Sequence, residues 1–243
     1  MVISIINLTA GKIKDSELQN VIRAINRQIH EDFAPHWHRQ ATLRLEGHIS
    51  EKPKKNDLVN IRGDAVIYLW DKVEGNDAVG YHDLNDGGIP FGFVFLEVAN
   101  EIGEPWSVTL SHECLELIGD PEINLLVAGP HPDRKQRRQV FHWYEMCDAV
   151  QDDKYEIDGV LVSNFVLPLY FTKGDEYKGR NDFMGTSLKS FGVNPGGYSG
   201  FYDPRSRRSG SFEKDARARN RMKIKTKFEK TRKAARDIRL NRK

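Results

Sequence analysis

Residues Trp106 to Glu122 read W-S-V-T-L-S-H-E-C-L-E-L-I-G-D-P-E, and the rest of the chain is best read as the scaffold that holds them. Ser111 is placed to cap a short helix carrying His112, Glu113 and Glu116. His112 and Glu116 are four apart, so one helical face presents an imidazole and a carboxylate together. Glu113 lies beside that face. Gly119 is expected to break the helix, after which Asp120, Pro121 and Glu122 turn the chain away.

An imidazole and a carboxylate one helical turn apart are two ligands of a metal site. His112 would bind through a ring nitrogen and Glu116 through a carboxylate, with Glu113 as the general base on a water. A third ligand is needed. Asp120 and Glu122 follow the Gly119 break, and Glu145 and Asp148 lie on the later segment Y-E-M-C-D. At about 1.5 Å rise per residue an unbroken helix would set Asp120 two turns from His112, too far to share one ion. Asp120 and Glu122 therefore depend on a bend at Gly119, and Glu145 and Asp148 do not. Cys114, two along from His112, should face the core. Cys147 sits among the acids, as a soft ligand or as a buried thiol.

Upstream of this helix the chain alternates apolar runs with turns. Val2 to Leu8 is a strand, and Asp15 or Ser16 opens a helix with Leu18, Val21, Ile22, Ile25 and Ile29 on one face, ending near Phe33 and closed by Pro35. Ala41 to Ile49 is a second strand, Glu51 to Asp57 a loop, and Ala65 to Trp70 a third and central strand. Asp83 to Pro90 is a Gly-rich turn. Phe91 to Val98 is a fourth strand, either sheet core or an edge able to take an extended peptide. Downstream, Ala128 to Arg138 reads as a polar loop and Gln139 to Met146 as a strand. Tyr155 to Phe171 reads as a strand pair interrupted by Pro168, and Thr172 to Pro204 as ordered Gly-rich loop. The economical arrangement is α+β: a mixed sheet backed by one helix, with a second helix carrying the site.

Charge divides the chain. Residues 205–243 hold 17 Lys or Arg and four acids, a net of +13; the whole chain is +2, so residues 1–204 carry −11. The expected organisation is an α+β domain over 1–204 and a basic tail, helical or disordered, over 205–243. R-S-R-R-S-G-S reads as a linker, and the helix beyond it has a thin apolar stripe from Ile224. Arg217, Arg219, Arg221, Lys223, Lys225 and Lys227 are the residues to hold nucleic acid or another polyanion through phosphate contacts. The other reading of the tail is docking on a protein assembly partner. Two cysteines do not make a disulfide scaffold, and no apolar run reaches membrane-spanning length, so a cytoplasmic protein with no membrane partner is expected.

The order of elements, the H-E-x-x-E-x-x-G helix and the ligand-type residue three after Gly119 resemble the metzincin zinc peptidases, whose pattern is H-E-x-x-H-x-x-G-x-x-H or D. His112, Glu113 and Gly119 match that pattern, Glu116 replaces the second His, and Glu122 falls at the third-ligand position. The resemblance implies a divalent metal, zinc first, and hydrolysis of a peptide bond. The departure to carboxylates makes a harder site that would also suit Ca²⁺, Mn²⁺ or Mg²⁺. Over residues 1–172 the chain also resembles a set of phage and bacterial proteins sharing S-H-E-x-x-E-x-x-x-D-P, E-x-C-D-x-V and V-S-N-F-V-x-P, here Ser111–Pro121, Glu145–Val150 and Val162–Pro168. That likeness groups Asp120, Glu145 and Asp148 with the helix. It implies the alternative of a non-catalytic phage structural or assembly protein, located in the virion, with a degenerate peptidase-like domain and a polyanion- or subunit-binding tail.

Overall fold

The computed structural model describes residues 1–46, 63–71, 82–84, 88–172 and 179–228, and the backbone alone for 82–83 and 225–228. The strands are β1 (Val2–Leu8), β2 (Thr42–Glu46), β3 (Ala65–Trp70), β4 (His82–Leu84), β5 (Pro90–Phe95), β6 (Leu126–Pro130), β7 (Gln139–Trp143), β8 (Lys154–Ile157), β9 (Val160–Ser163), β10 (Tyr198–Asp203) and β11 (Arg208–Glu213). The helices are α1 (Asp15–Arg27), α2 (Ala34–Trp37), α3 (Leu96–Ile102), α4 (Trp106–Gly119) and α5 (Ala216–Phe228). The class is α+β, with one mostly parallel sheet and two antiparallel ones. The chain divides into two compact units, residues 1–123 with 154–163, and residues 124–153 with 164–243.

The first unit is built on a five-stranded sheet ordered β2-β1-β3-β5-β4, in which only β4 runs antiparallel. A sheet of this kind is covered on both faces, so its strands are apolar almost end to end. V-I-S-I-I-N-L and A-V-I-Y-L-W are such runs, and Ile3, Ile5, Ile67 and Leu69 are fully buried. Ile6, Val66, Tyr68 and Phe91 form a further buried cluster. The apolar stripe of α1 (Leu18, Val21, Ile22, Ile25) packs on β2, and β3 is central as its composition implies. The β8–β9 hairpin completes the unit and packs on α4 and α1.

Several boundaries move. The first helix does not stop at Phe33: after Arg27 it continues as a π-helical turn, Gln28–Phe33, and then as α2. Pro35 sits in the first turn of α2, where the missing N–H costs nothing, and His38 in the left-handed region ends it. The fourth strand ends at Phe95, because residues from Leu96 wind into α3, closed by Gly103 at φ 69°. That strand is not an edge: β5 lies between β3 and β4, and β4 holds the edge position. Residues 47–49 of the expected second strand and the loop at Glu51 to Asp57 lie outside the described residues. The Gly-rich turn at Asp83 to Pro90 gives way at its start to β4 and at its end to β5, with 85–87 outside the described residues.

The second unit carries a four-stranded antiparallel sheet, β11-β10-β7-β6, that was expected only at β7. The polar loop at Ala128 overlaps β6, the Gly-rich stretch before Pro204 contains β10, and the linker R-S-R-R-S-G-S runs into β11. These strands are L-V-A-G-P, Y-S-G-F-Y-D and R-S-G-S-F-E, each with a glycine where alternation would place a side chain. The glycines make room for aromatic rings. A Cβ on Gly129 would meet Phe191, one on Gly200 would meet Trp143, and one on Gly210 would meet Phe201. The boundary at Pro204 thus falls in the turn between β10 and β11.

The basic segment is folded as far as it is described. Asp215 caps α5, its Oδ1 accepting from the Ala218 N–H and its Oδ2 from the Gly196 N–H, each at 2.9 Å. Those amides hold its carboxyl below the usual range, the Ala218 bond first. Arg221 is buried and donates to Asp152 Oδ1 at 2.6 Å and to the Gly196 carbonyl at 3.0 Å. Arg217 reaches the same carboxylate at 2.7 Å, and Ala218 and Ile224 are buried. Residues 229–243 lie outside the described residues. Among the described residues no helix is long and apolar enough to cross a membrane.

Candidate metal centre

Helix α4 begins at Trp106, five residues before Ser111, with Pro105 as its N-cap residue. Thr109 Oγ1 donates to Glu104 Oε1 at 2.8 Å across this first turn. Ser111 therefore lies inside the helix, and its hydroxyl serves tertiary bonds rather than a cap. It donates to Gln28 Oε1 at 2.7 Å and accepts from the Ser163 N–H at 3.1 Å. Gln28, the first residue of the π-helical turn, uses its amide nitrogen on the Ser163 carbonyl at 2.7 Å and on Tyr155 Oη at 3.1 Å. Tyr155 in turn donates to Asp32 Oδ2 at 2.8 Å. Burial holds the Asp32 carboxyl above the usual range, opposed by that bond. One residue before His112, the helix is thus pinned to α1's continuation and to β9.

From Leu110 to Gly119 every residue of α4 is buried. A helix that is apolar on all sides belongs in a core, yet this one carries His112, Glu113 and Glu116 at 2%, 5% and 2% exposure. Ionisable groups are rarely buried unless they are paired or hold a metal. His112 Nε2 lies 3.2 Å from Glu116 Oε1, the contact that their spacing implies. Cys114, on the other side of the helix, is fully buried, and burial with the Glu113 charge pushes its thiol well up, so it stays protonated.

Gly119 ends the helix, as expected. It is the last helical residue, and Asp120 follows as the cap at φ −142°, ψ 74°, its N–H still bonded to the Glu116 carbonyl. The chain then turns over Pro121–Ile123, where Ile123 takes φ 52°. Asp120 is buried and Glu122 is exposed. Within the first unit, His112 and Glu116 bring a ring nitrogen and a carboxylate oxygen together in buried surroundings, two donors that a metal ion could take, and Cys147 is buried in the second unit.

In the second unit Glu145 and Asp148 are buried, Glu145 just after β7 and Asp148 opening a 3₁₀ turn, Asp148–Val150. Both line a cavity of about 10 Å³, room for one water, with His142, Tyr170 and Ser199. His142 escaped notice in the sequence because it sits mid-strand without a motif. Its Nε2 lies 2.8 Å from the Pro130 carbonyl, which can only accept, so this nitrogen carries the proton. Nδ1 is then the acceptor for Ser199 Oγ at 3.2 Å. Burial pushes the imidazole down to about 4, which the Pro130 bond opposes. Tyr170 Oη donates to the Gly192 carbonyl at 2.9 Å, and burial raises its pKa.

Of the six basic residues proposed for polyanions, Arg217, Arg219 and Lys223 are exposed and Arg221 is committed to Asp152. The side chains of Lys225 and Lys227 lie outside the described residues. Comparison of the chain with protein-family models, with curated proteins and with solved structures gives no match.

Proposed function

We propose that the chain is a metal-dependent hydrolase of the peptidase type, with His112 and Glu116 as two of the ligands of a divalent ion. The observation that carries the reading is the burial of His112, Glu113 and Glu116 together on α4, with His112 Nε2 3.2 Å from Glu116 Oε1. The element order behind the metzincin resemblance supports it: strand, helix, parallel strands, then α4 after β5. The ion, when bound, would polarise a substrate carbonyl and lower the pKa of a water. Glu113 would take the proton of the attacking water and return it to the leaving amine. Ser111, bonded to Gln28 and Ser163, would hold the helix in register, so that His112 is presented at a fixed height.

Elemental analysis of the purified full chain tests the metal, with His112→Ala as the control. Near-stoichiometric zinc, lost in His112→Ala, is the expected result. Peptide hydrolysis that falls at least about a hundredfold in Glu113→Gln, with the metal retained, is expected of a general base. Metal bound without hydrolysis would leave the ion a structural role and favour the non-catalytic reading. No metal in protein prepared without chelator would defeat the hydrolase reading and favour the non-catalytic one.

A further inference from the structure

Strand register in the second unit brings together two basic segments that lie about seventy residues apart in the chain. Tyr202 pairs with Phe141 and Phe201 with His142, so the end of β10 lies beside the start of β7. The β6–β7 turn and the β10–β11 turn therefore sit at the same end of the sheet, and Arg138 Nη1 to Asp203 Oδ2 at 3.0 Å ties them. The first turn carries Arg134, Lys135 and Arg137, the second carries Arg205 and Arg207, and Arg208 opens β11, all exposed. Two acids are nearby. Asp203 is buried against Arg138, and Asp133 Oδ1 accepts from the Lys135 N–H. Lys135, Arg137, Arg205, Arg207 and Arg208 enter no ion pair among the described residues. Arg207 also occupies a left-handed backbone position, φ 56°, that glycine or asparagine would fill more easily.

The sheet face beside these turns is aromatic. Residues directly opposite in an antiparallel pair share a face, so Phe141 and Tyr202 stand side by side, with Ala128 and Ser209 to either flank. Phe141 is 38% exposed, and Tyr202 is partly exposed. Solvent-facing rings next to a row of arginines can stack bases while the guanidinium forks hold phosphates.

We propose that this end of the four-stranded sheet binds single-stranded nucleic acid, with Arg137, Arg205, Arg207 and Arg208 on the phosphates and Phe141 under a base. A duplex hides the base faces that Phe141 would stack on, so a single strand is the occupant that uses both the ring and the arginines. The proposal is independent of the metal site, because neither α4 nor Glu113 takes part.

Fluorescence anisotropy of a labelled oligo-dT strand with the full chain tests it. The triple variant Arg137→Glu, Arg205→Glu, Arg207→Glu should bind at least about tenfold more weakly, and its log–log salt slope should be shallower by about 2. Phe141→Ala should weaken single-strand binding by about fivefold or more with the salt slope unchanged, which a purely electrostatic surface would not show. Both changes lie at exposed positions, and circular dichroism confirms the fold. Unchanged binding in the triple variant overturns the proposal. So does equal affinity for a duplex of the same length, a loss confined to Arg219→Glu with Lys223→Glu, or binding only to anionic vesicles.

Discussion

Replacing Ser111 by alanine removes one oxygen from the middle of α4, and its effect can be worked out from two bonds. Ser111 Oγ donates to Gln28 Oε1 at 2.7 Å and accepts from the Ser163 N–H at 3.1 Å, with all three residues fully buried. Alanine cannot do either. Gln28 Oε1 loses its donor and the Ser163 N–H loses this acceptor, and each stranded buried group costs about 1–3 kcal/mol. The methyl of alanine fills most of the space, so a cavity adds little. The expected loss is about 2–6 kcal/mol, read as a lower urea midpoint of the full chain with the slope unchanged. Ser107→Ala is the internal comparison. It deletes a single bond, to the Leu161 carbonyl at 2.8 Å, from a residue that is 8% exposed, and should cost about 1 kcal/mol. A loss in Ser111→Ala no larger than in Ser107→Ala would refute the view that Ser111 is a tertiary clamp.

Two further outcomes follow from the second unit. His142 is held near 4 in the fold against 6.5 when free, so the folded state disfavours its protonation. Its contribution is therefore intact above about pH 6.5 and declines as pH falls toward about 4, the loss reaching on the order of 3 kcal/mol by then; a His142→Gln variant, followed by urea unfolding, should lose that part of the pH dependence. Gly129→Ala would drive a Cβ into the Phe191 ring, which is 1% exposed and has little room to move. It should destabilise the chain by about 1–3 kcal/mol, with part recovered on adding Phe191→Leu, as measured by denaturant midpoints.

The parts of the fold readable in the sequence are those whose signal is local. β1 and β3 could be read because a sheet buried on both faces needs unbroken apolar runs, and V-I-S-I-I-N-L and A-V-I-Y-L-W supply them. Helix α1 could be read because its stripe at Leu18, Val21, Ile22 and Ile25 has helical spacing. The failures share a cause. β6, β10 and β11 are strands with a glycine in the middle, a local argument for turns, and each is stabilised by an aromatic ring from elsewhere in the second unit. Ser111 looked like a cap because serine usually is one; its partners Gln28 and Ser163 are 83 and 52 residues away.

For the site, the chain itself determined that His112 and Glu116 share a helical face, since that follows from a spacing of four on any α-helix, and their 3.2 Å contact is the result. Tertiary structure decided the rest. It turned Arg221 from a ligand for outside anions into an internal partner of Asp152. It also joined the turns at 131–138 and 204–207, which no spacing along the chain could foretell, because strand register is set by the pairing of whole faces.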